Sequence, residues 1–296
     1  MTLVLRLRYN QVICINQEGA VFQIMKFQDK EFIPVLLGGD INTYSVARAF
    51  YEQYRVKTYI FGKFPTGPSY NSKIIEYHPN PKIDTDDYFL KTVNHFAKKH
   101  ADKKIVLIGC GDSYVALISK HKSDLADNII APYIDFELMN SLQQKETFYK
   151  LCEKHGVDYP GTLIYDASMG MDFEMNFQFP VILKPSDSIQ YWEHEFETQN
   201  KVYTIKDREE LERVIGQIYG AGYTDKLIIQ DMIPGNDEYM YVLTSYSDRN
   251  GKVKMMCLGH VLLEEHTPHG LGNHAVIITE PNEELMMKVK NLLEDL

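Results

Sequence analysis

The feature that most constrains this chain is a strand–turn–helix–strand unit. Phe32–Leu37 is an unbroken apolar run of strand length, followed at once by Gly38-Gly39-Asp40. Residues 42–54 then place Val46, Ala47 and Phe50 on one helical face, and residues 58–61 supply the next strand. Strands joined through a helix run parallel, with a right-handed crossover. The pattern returns as a helix over 89–99, a strand over 105–108, the turn Gly109-Cys110-Gly111-Asp112 and a helix over 113–121. These units define an open α/β layer of Rossmann-like type. Neither turn has the G-x-G-x-x-G spacing, so the dinucleotide signal is weak. Ligands in open α/β sheets sit at the carboxyl ends of the strands. Gly38, Gly39 and Asp40 are therefore candidates for substrate contact, beside their plain reading as a strand-to-helix corner.

A chain of 296 residues is at the limit of one core, about 250–300 residues, so two domains are expected. They are placed at 25–128 and 129–296, after an N-terminal extension at 1–24. An apolar content of 44% with 24% charged residues fits a soluble globular protein. The net charge of −10, from 31 basic and 41 acidic side chains, argues against nucleic acid as the main partner. No apolar run approaches the ~20 residues of a membrane span. The cysteines at 14, 110, 152 and 257 have no metal-ligand spacing and read as buried thiols of a reducing, cytoplasmic compartment. Residues 1–24 lack a small-residue cleavage site and make a poor signal peptide. They read either as an upstream extension of a chain that naturally starts at Met25, or as a genuine N-terminal hairpin.

The second half carries the chemistry. A helix is expected over 141–155, closed by Gly156, with Lys145 in its first turns. A lysine there opposes the helix macrodipole, a conflict that a phosphate would relieve; a solvated surface lysine is the plain alternative. A smaller subdomain is expected over about 160–230. Its central strand, 180–184, ends at Lys184, and the helix 206–219 turns Leu211, Val214, Ile215 and Ile218 inward. Leu227-Ile228-Ile229 opens a further strand, continued by Gln230, Asp231, Met232 and Ile233. Pro234-Gly235 breaks it, Asp237 and Glu238 follow, and residues 239–243 read as the next strand. Such a hinge can offer backbone N–H and C=O groups to an adenine edge, and its acids can accept from a ribose. An ordinary hairpin with an acidic tip has the same letters.

Two lysines followed by such a hinge resemble the ATP-grasp ligases over residues 129–296. The resemblance implies an incomplete ATP-grasp domain, with 160–230 as its lid, behind the N-terminal α/β domain. It implies that Lys145 and Lys184 meet nucleotide phosphates, that Gln230, Asp231, Met232 and Ile233 hold the adenine, and that Asp237 or Glu238 holds the ribose. The family's glycine-rich phosphate loop has no counterpart, since no glycine occurs between Pro185 and Val202. Ser186 and Ser188 are the substitute donors. A strand is expected over 252–263, followed by a Gly270-Leu271-Gly272-Asn273 loop flanked by histidines. His260, His266, His269 and His274 match no zinc template, and no metal ligand is assigned. The loop reads as a substrate or γ-phosphate loop, or as a plain glycine turn. On the first reading His266 and Asn273 are catalytic, and Glu264 and Gly272 contact substrate.

The runs GDINTYSVARAF, KPSDSIQYWEHEF and MMCLGHVLLEEHTP are similar, more narrowly, to bacterial peptidoglycan D-aspartate ligases and to proteins like the carbamoyl-phosphate synthase large subunit. That resemblance implies an enzyme using ATP and Mg²⁺ and acting on a small-molecule carboxylate and an amine. The carboxylate is activated as an acyl phosphate, and the lysine side chain of a cell-wall precursor displaces the phosphate. The family's Mg²⁺-binding acid and Glu-x-Asn pair are expected past the helix that begins at 283, so the chain reads as C-terminally truncated and impaired alone. A sheet edge left uncovered in this way makes a homodimer possible. The alternatives are an ATP-binding or split-gene subunit without ligase activity of its own, and a plain α/β binding protein.

Overall fold

The structure is a computed structural model. It describes the backbone of residues 4–7, 11–16, 19–24, 27–143, 145–265 and 274–296, and their side chains except at 4–24, 143, 145, 146, 188, 189 and 237. The chain divides into two compact units, Met1–Ser141 and Leu142–Leu296.

The first unit opens with an antiparallel sheet of β1 (Val4–Leu7), β2 (Gln11–Asn16) and β3 (Gly19–Ile24). There follow β4 (Phe32–Leu37), α1 (Ile41–Tyr54), β5 (Thr58–Gly62), β6 (Ile75–Pro79), α2 (Asp86–Lys99), β7 (Lys104–Gly109), α3 (Asp112–Lys120) and β8 (Ile129–Ile130). These strands form one parallel sheet in the order β6-β5-β4-β7-β8. Alternation along β4 explains its two-sided burial. Val35 and Leu37 join Phe89 and Val93 of α2 and Leu117 of α3, whereas Leu36 joins Ala47 of α1. Helices thus cover both faces, as the apolar run requires. β6 has no counterpart among the expected strands: it is a half-buried edge ending in Pro79, a position where proline is tolerated. α2 begins at Asp86, before the expected residue 89, with Asp86 and Asp87 in its first turn to meet the helix dipole.

Helical backbone resumes at α4 (Phe136–Gln143), earlier than the expected 141, with Met139 N–H donating to the Asp135 carbonyl at 3.0 Å. The second unit continues with α5 (Lys145–Lys154), β9 (Thr162–Tyr165), β10 (Val181–Pro185), α6 (Ser188–Glu193), β11 (Tyr203–Ile205), α7 (Arg208–Gly220), β12 (Leu227–Asp231), β13 (Tyr241–Ser247), β14 (Val253–Glu264), β15 (His274–Thr279) and α8 (Glu283–Glu294). Two antiparallel sheets result, β11-β10-β12-β9 and β13-β14-β15. The first packs on α7 through Leu211, Val214, Ile215 and Ile218, the four residues its periodicity selects.

Two expectations need correction. The segment around Pro234-Gly235 is not a hairpin. β12 lies between β10 and β9, so both its edges are hydrogen-bonded and no edge remains for β13, which pairs with β14. Residues 232–240 cross from one sheet to the other, and Asp237–Tyr239 form a 3-10 turn in place of the start of a strand. Nor is 186–197 a continuous loop. Asp187 Oδ1 accepts from Gln190 N–H at 3.1 Å and caps the short helix α6.

Candidate functional site

The register of β10 on β12 builds the site. Lys184 pairs with Ile228, and Ile182 with Gln230. Side chains alternate across a sheet, so Lys184, Ile182, Ile228 and Gln230 share one face, opposite the Val181, Leu183 and Ile229 face that packs on α7. The lysine and the hinge thus lie on adjacent strands and the same side.

Gln230 fixes what lies above that face. It is 3% exposed. Its amide nitrogen donates to Tyr149 Oη at 2.7 Å and to Thr162 Oγ1 at 2.8 Å. Both amide protons are therefore used, and the adenine role expected of Gln230 falls to its remaining carbonyl and to the backbone beyond it. Tyr149 belongs to α5 and stacks on Tyr159 with ring centroids 5.3 Å apart. Position 145 opens α5 one helical turn before Tyr149, so the two share a helix face. The Lys145 side chain itself lies outside the described residues. Ser186 donates its N–H to the Lys226 carbonyl at 3.0 Å, which leaves its hydroxyl as the available donor. The Ser188 side chain is likewise outside the described residues.

The ladder of β12 ends where Asp231 N–H donates to the Gly161 carbonyl at 2.8 Å. Met232 and Ile233 follow outside it, with Ile233 69% exposed. Gly235 takes a left-handed φ of 134°, which favours glycine at the bend. In the 3-10 turn Glu238 is exposed, and the Asp237 side chain is outside the described residues.

Sequence reasoning missed the group that supports this turn. His260 Nε2 meets the Glu238 carbonyl at 2.5 Å, and Nδ1 meets Glu280 Oε2 at 2.7 Å. Tyr241 stacks on the imidazole, with centroids 4.6 Å apart and planes 10° apart, and donates to Glu280 Oε1 at 3.1 Å. The bond to the Glu238 carbonyl, then that to Glu280, raise the His260 pKa above its ordinary value. The bonds from His260 and Tyr241 lower that of Glu280. The available signal was the pairing of two strands flanking the hinge. Among the described residues no three His, Cys, Asp or Glu side chains gather as a cation site.

In the first unit, Gly38, Gly39 and Asp40 form a built corner. Asp40 Oδ1 accepts from Thr43 N–H at 2.9 Å and from Thr43 Oγ1 at 2.8 Å, capping α1. A Cβ on Gly38, whose φ is 137°, would lie 2.4 Å from Thr43 Oγ1. Burial pushes the neighbouring Cys110 thiol up to about 11. Glu264 ends β14. His266, Gly272 and Asn273 lie outside the described residues. Among the described residues no helix is long and apolar enough to cross a membrane.

No family model matches the chain. The L-amino acid ligase of Bacillus licheniformis shares its fold at a TM-score of 0.59, with 14% identity over 90% of this chain and 60% of that one. The biotin carboxylase domain of the Hydrogenobacter thermophilus 2-oxoglutarate carboxylase, solved with MgADP, ADP and bicarbonate, does so at 0.58, with 14% identity over 90% and 58%. The fold is that of the ATP-grasp ligases. In sequence the chain is 42% identical over 274 residues to the D-aspartate ligase of Enterococcus faecium (strain Aus0004), a match covering 90% of this chain and 65% of that ligase. The chain thus spans about 65% of the length of the D-aspartate ligase it is similar to.

Proposed function

We propose that this chain binds ATP as part of a carboxylate–amine ligase reaction. The register of β10 on β12 supports the reading, because it sets Lys184 across from Ile228, on the strand next to the one that runs into the hinge. Lys184 and Lys145 hold the phosphates, with Ser186 and Ser188 as further donors. The adenine lies along Gln230 to Ile233, and Glu238 or Asp237 accepts from the ribose hydroxyls. The γ-phosphoryl group of ATP activates the carboxylate as an acyl phosphate, which the amine then opens with release of phosphate. The 42% identity to D-aspartate ligase favours D-aspartate as the carboxylate, and the sequence resemblance supplies the lysine side chain of a cell-wall precursor as the amine. His266 and Asn273 act at the reacting groups, with Glu264 and Gly272 contacting substrate. Gly38, Gly39 and Asp40 line the substrate side of the first unit.

Calorimetric titration with ATP tests the phosphate assignment. Lys184→Ala is expected to weaken binding by about 1.5–3 kcal/mol, the scale of a hydrogen bond to a charged group. Unchanged affinity would overturn it. ADP release that requires both a carboxylate and an amine separates a ligase from a nucleotide-binding protein.

A further inference from the structure

The site as proposed needs an acid held at the ribose edge of the adenine, yet Glu238 sits on a three-residue turn just after a glycine bend. Beside the turn's own Tyr239 N–H to Asn236 carbonyl bond, His260 reaches it at the Glu238 carbonyl. A carbonyl oxygen only accepts, so His260 Nε2 must donate to Glu238 O. A carboxylate also accepts, so Nδ1 must donate to Glu280. An imidazole that donates from both nitrogens carries its second proton and a positive charge. Glu280 has both oxygens engaged, one by His260 and one by the Tyr241 hydroxyl. The Tyr241 ring lies over the cation in near-parallel contact. Register supports the arrangement, since Tyr241 pairs with His260 and Val261 N–H donates to the Met240 carbonyl at 2.9 Å. Among the described residues, the direct hydrogen bond from this group to the turn is the one from His260.

We propose that His260, as an imidazolium held between Glu280, the Tyr241 ring and the Glu238 carbonyl, is a positioning residue that presents the Glu238 carboxylate to the nucleotide ribose. This rests on the nucleotide reading above. His260 does not touch ATP; it acts through the peptide of Glu238. Losing the second proton removes one donor, and the neutral ring cannot satisfy both acceptors. Among the described residues, the titratable groups facing His260 are Glu280 beyond β15, Tyr241 on β13 and the Glu238 side chain on the turn. Both carboxylates favour the cation, and the pKa of His260 is raised accordingly. The sign follows: the clamp is complete below the folded pKa and is lost as pH rises through it, on the alkaline side of 6.5.

The test is ATP affinity of the full chain between pH 6 and 9.5, by calorimetry, for wild type, His260→Gln, Glu280→Gln and Lys184→Ala. Wild-type affinity is expected to fall about 2- to 12-fold with rising pH, the factor of one hydrogen bond. The fall should be weaker for 2′-deoxy-ATP. His260→Gln is expected to be flat across the range at the wild type's alkaline value. Glu280→Gln is expected to move the fall to lower pH, a shift that merely loosening the fold would not produce. Far-ultraviolet circular dichroism confirms that each variant is folded; should His260→Gln fail to fold, the shift in Glu280→Gln decides. If ATP binds and Lys184→Ala weakens it, but the pH profile is the same in all the histidine and glutamate variants, the positioning role is refuted. If wild type does not bind ATP, or Lys184→Ala binds as well as wild type, the nucleotide reading itself has failed.

Discussion

Replacing Gln230 by Leu removes the amide that ties α5 to the four-stranded sheet while keeping volume nearly constant. Two hydrogen bonds are lost, to Tyr149 Oη and Thr162 Oγ1. At about 0.5–1.5 kcal/mol net each, the cost is about 1–3 kcal/mol. Thr162 keeps its own bond to the Pro160 carbonyl at 2.8 Å, so its hydroxyl is not stranded. Thr162→Val alone leaves one N–H of a 3%-exposed amide unpaired, at about 1–3 kcal/mol. The two changes therefore share one interaction, and the double variant should cost less than the sum of the singles by about 1 kcal/mol. The chain holds a single tryptophan, Trp192, which packs against the core of the second unit. Its fluorescence during urea unfolding follows that unit selectively. Additivity within about 0.5 kcal/mol at unchanged m-value would refute the shared-bond reasoning. Gln230→Leu should also raise the Kd for ATP, because position 145 loses its anchorage to the face that holds Lys184.

Other outcomes follow from the same geometry. Glu238→Gln is expected to narrow the preference for ATP over 2′-deoxy-ATP, with Asp237→Asn as its comparison; a ratio unchanged in both makes the acids turn residues only. Asp40→Ala removes the cap of α1 and should cost about 0.5–2 kcal/mol, read as a lowered Tm in calorimetry; an unchanged melting profile would refute the capping role. Cys257 is exposed, whereas Cys152 is buried and Cys110 is held near 11. At pH 8 the Cys110 thiolate fraction is about 0.1%, so peptide mapping after brief iodoacetamide treatment should find label on Cys257 well before Cys110 or Cys152.

The parts of the fold legible in the sequence are those whose burial is periodic. β4 reads as a continuous apolar run because helices cover both its faces, and α7 reads from four apolar positions at helical spacing. β6 was hidden because it is a half-buried edge ending in proline. α6 was hidden because an expected glycine loop drew attention from Asp187, an ordinary capping residue. The hinge letters were legible, but local turn signals do not tell a hairpin from a crossover; that is decided by whether the edge of β12 is already occupied. The same limit applies to the site. Lys184 and the hinge residues are readable as types in a spacing. The contacts Gln230–Tyr149 and His260–Glu280 join residues distant in the chain, and neither leaves a local pattern.

Residues 232–240 have a mechanical consequence. They are the sole covalent passage between the sheet that carries Lys184 and the sheet that carries His260. Rotation of one sheet against the other would be shared between the torsions of this short tether, with Gly235 its left-handed bend, and the ion pairs of Asp295 beside α8 with Lys154 and His155. A nucleotide lying along Gln230 to Ile233, and reaching Glu238 with its sugar, would span the joint like a splint. Occupancy and stiffness would then be coupled: the filled site would damp the rocking of the two sheets more than the empty one.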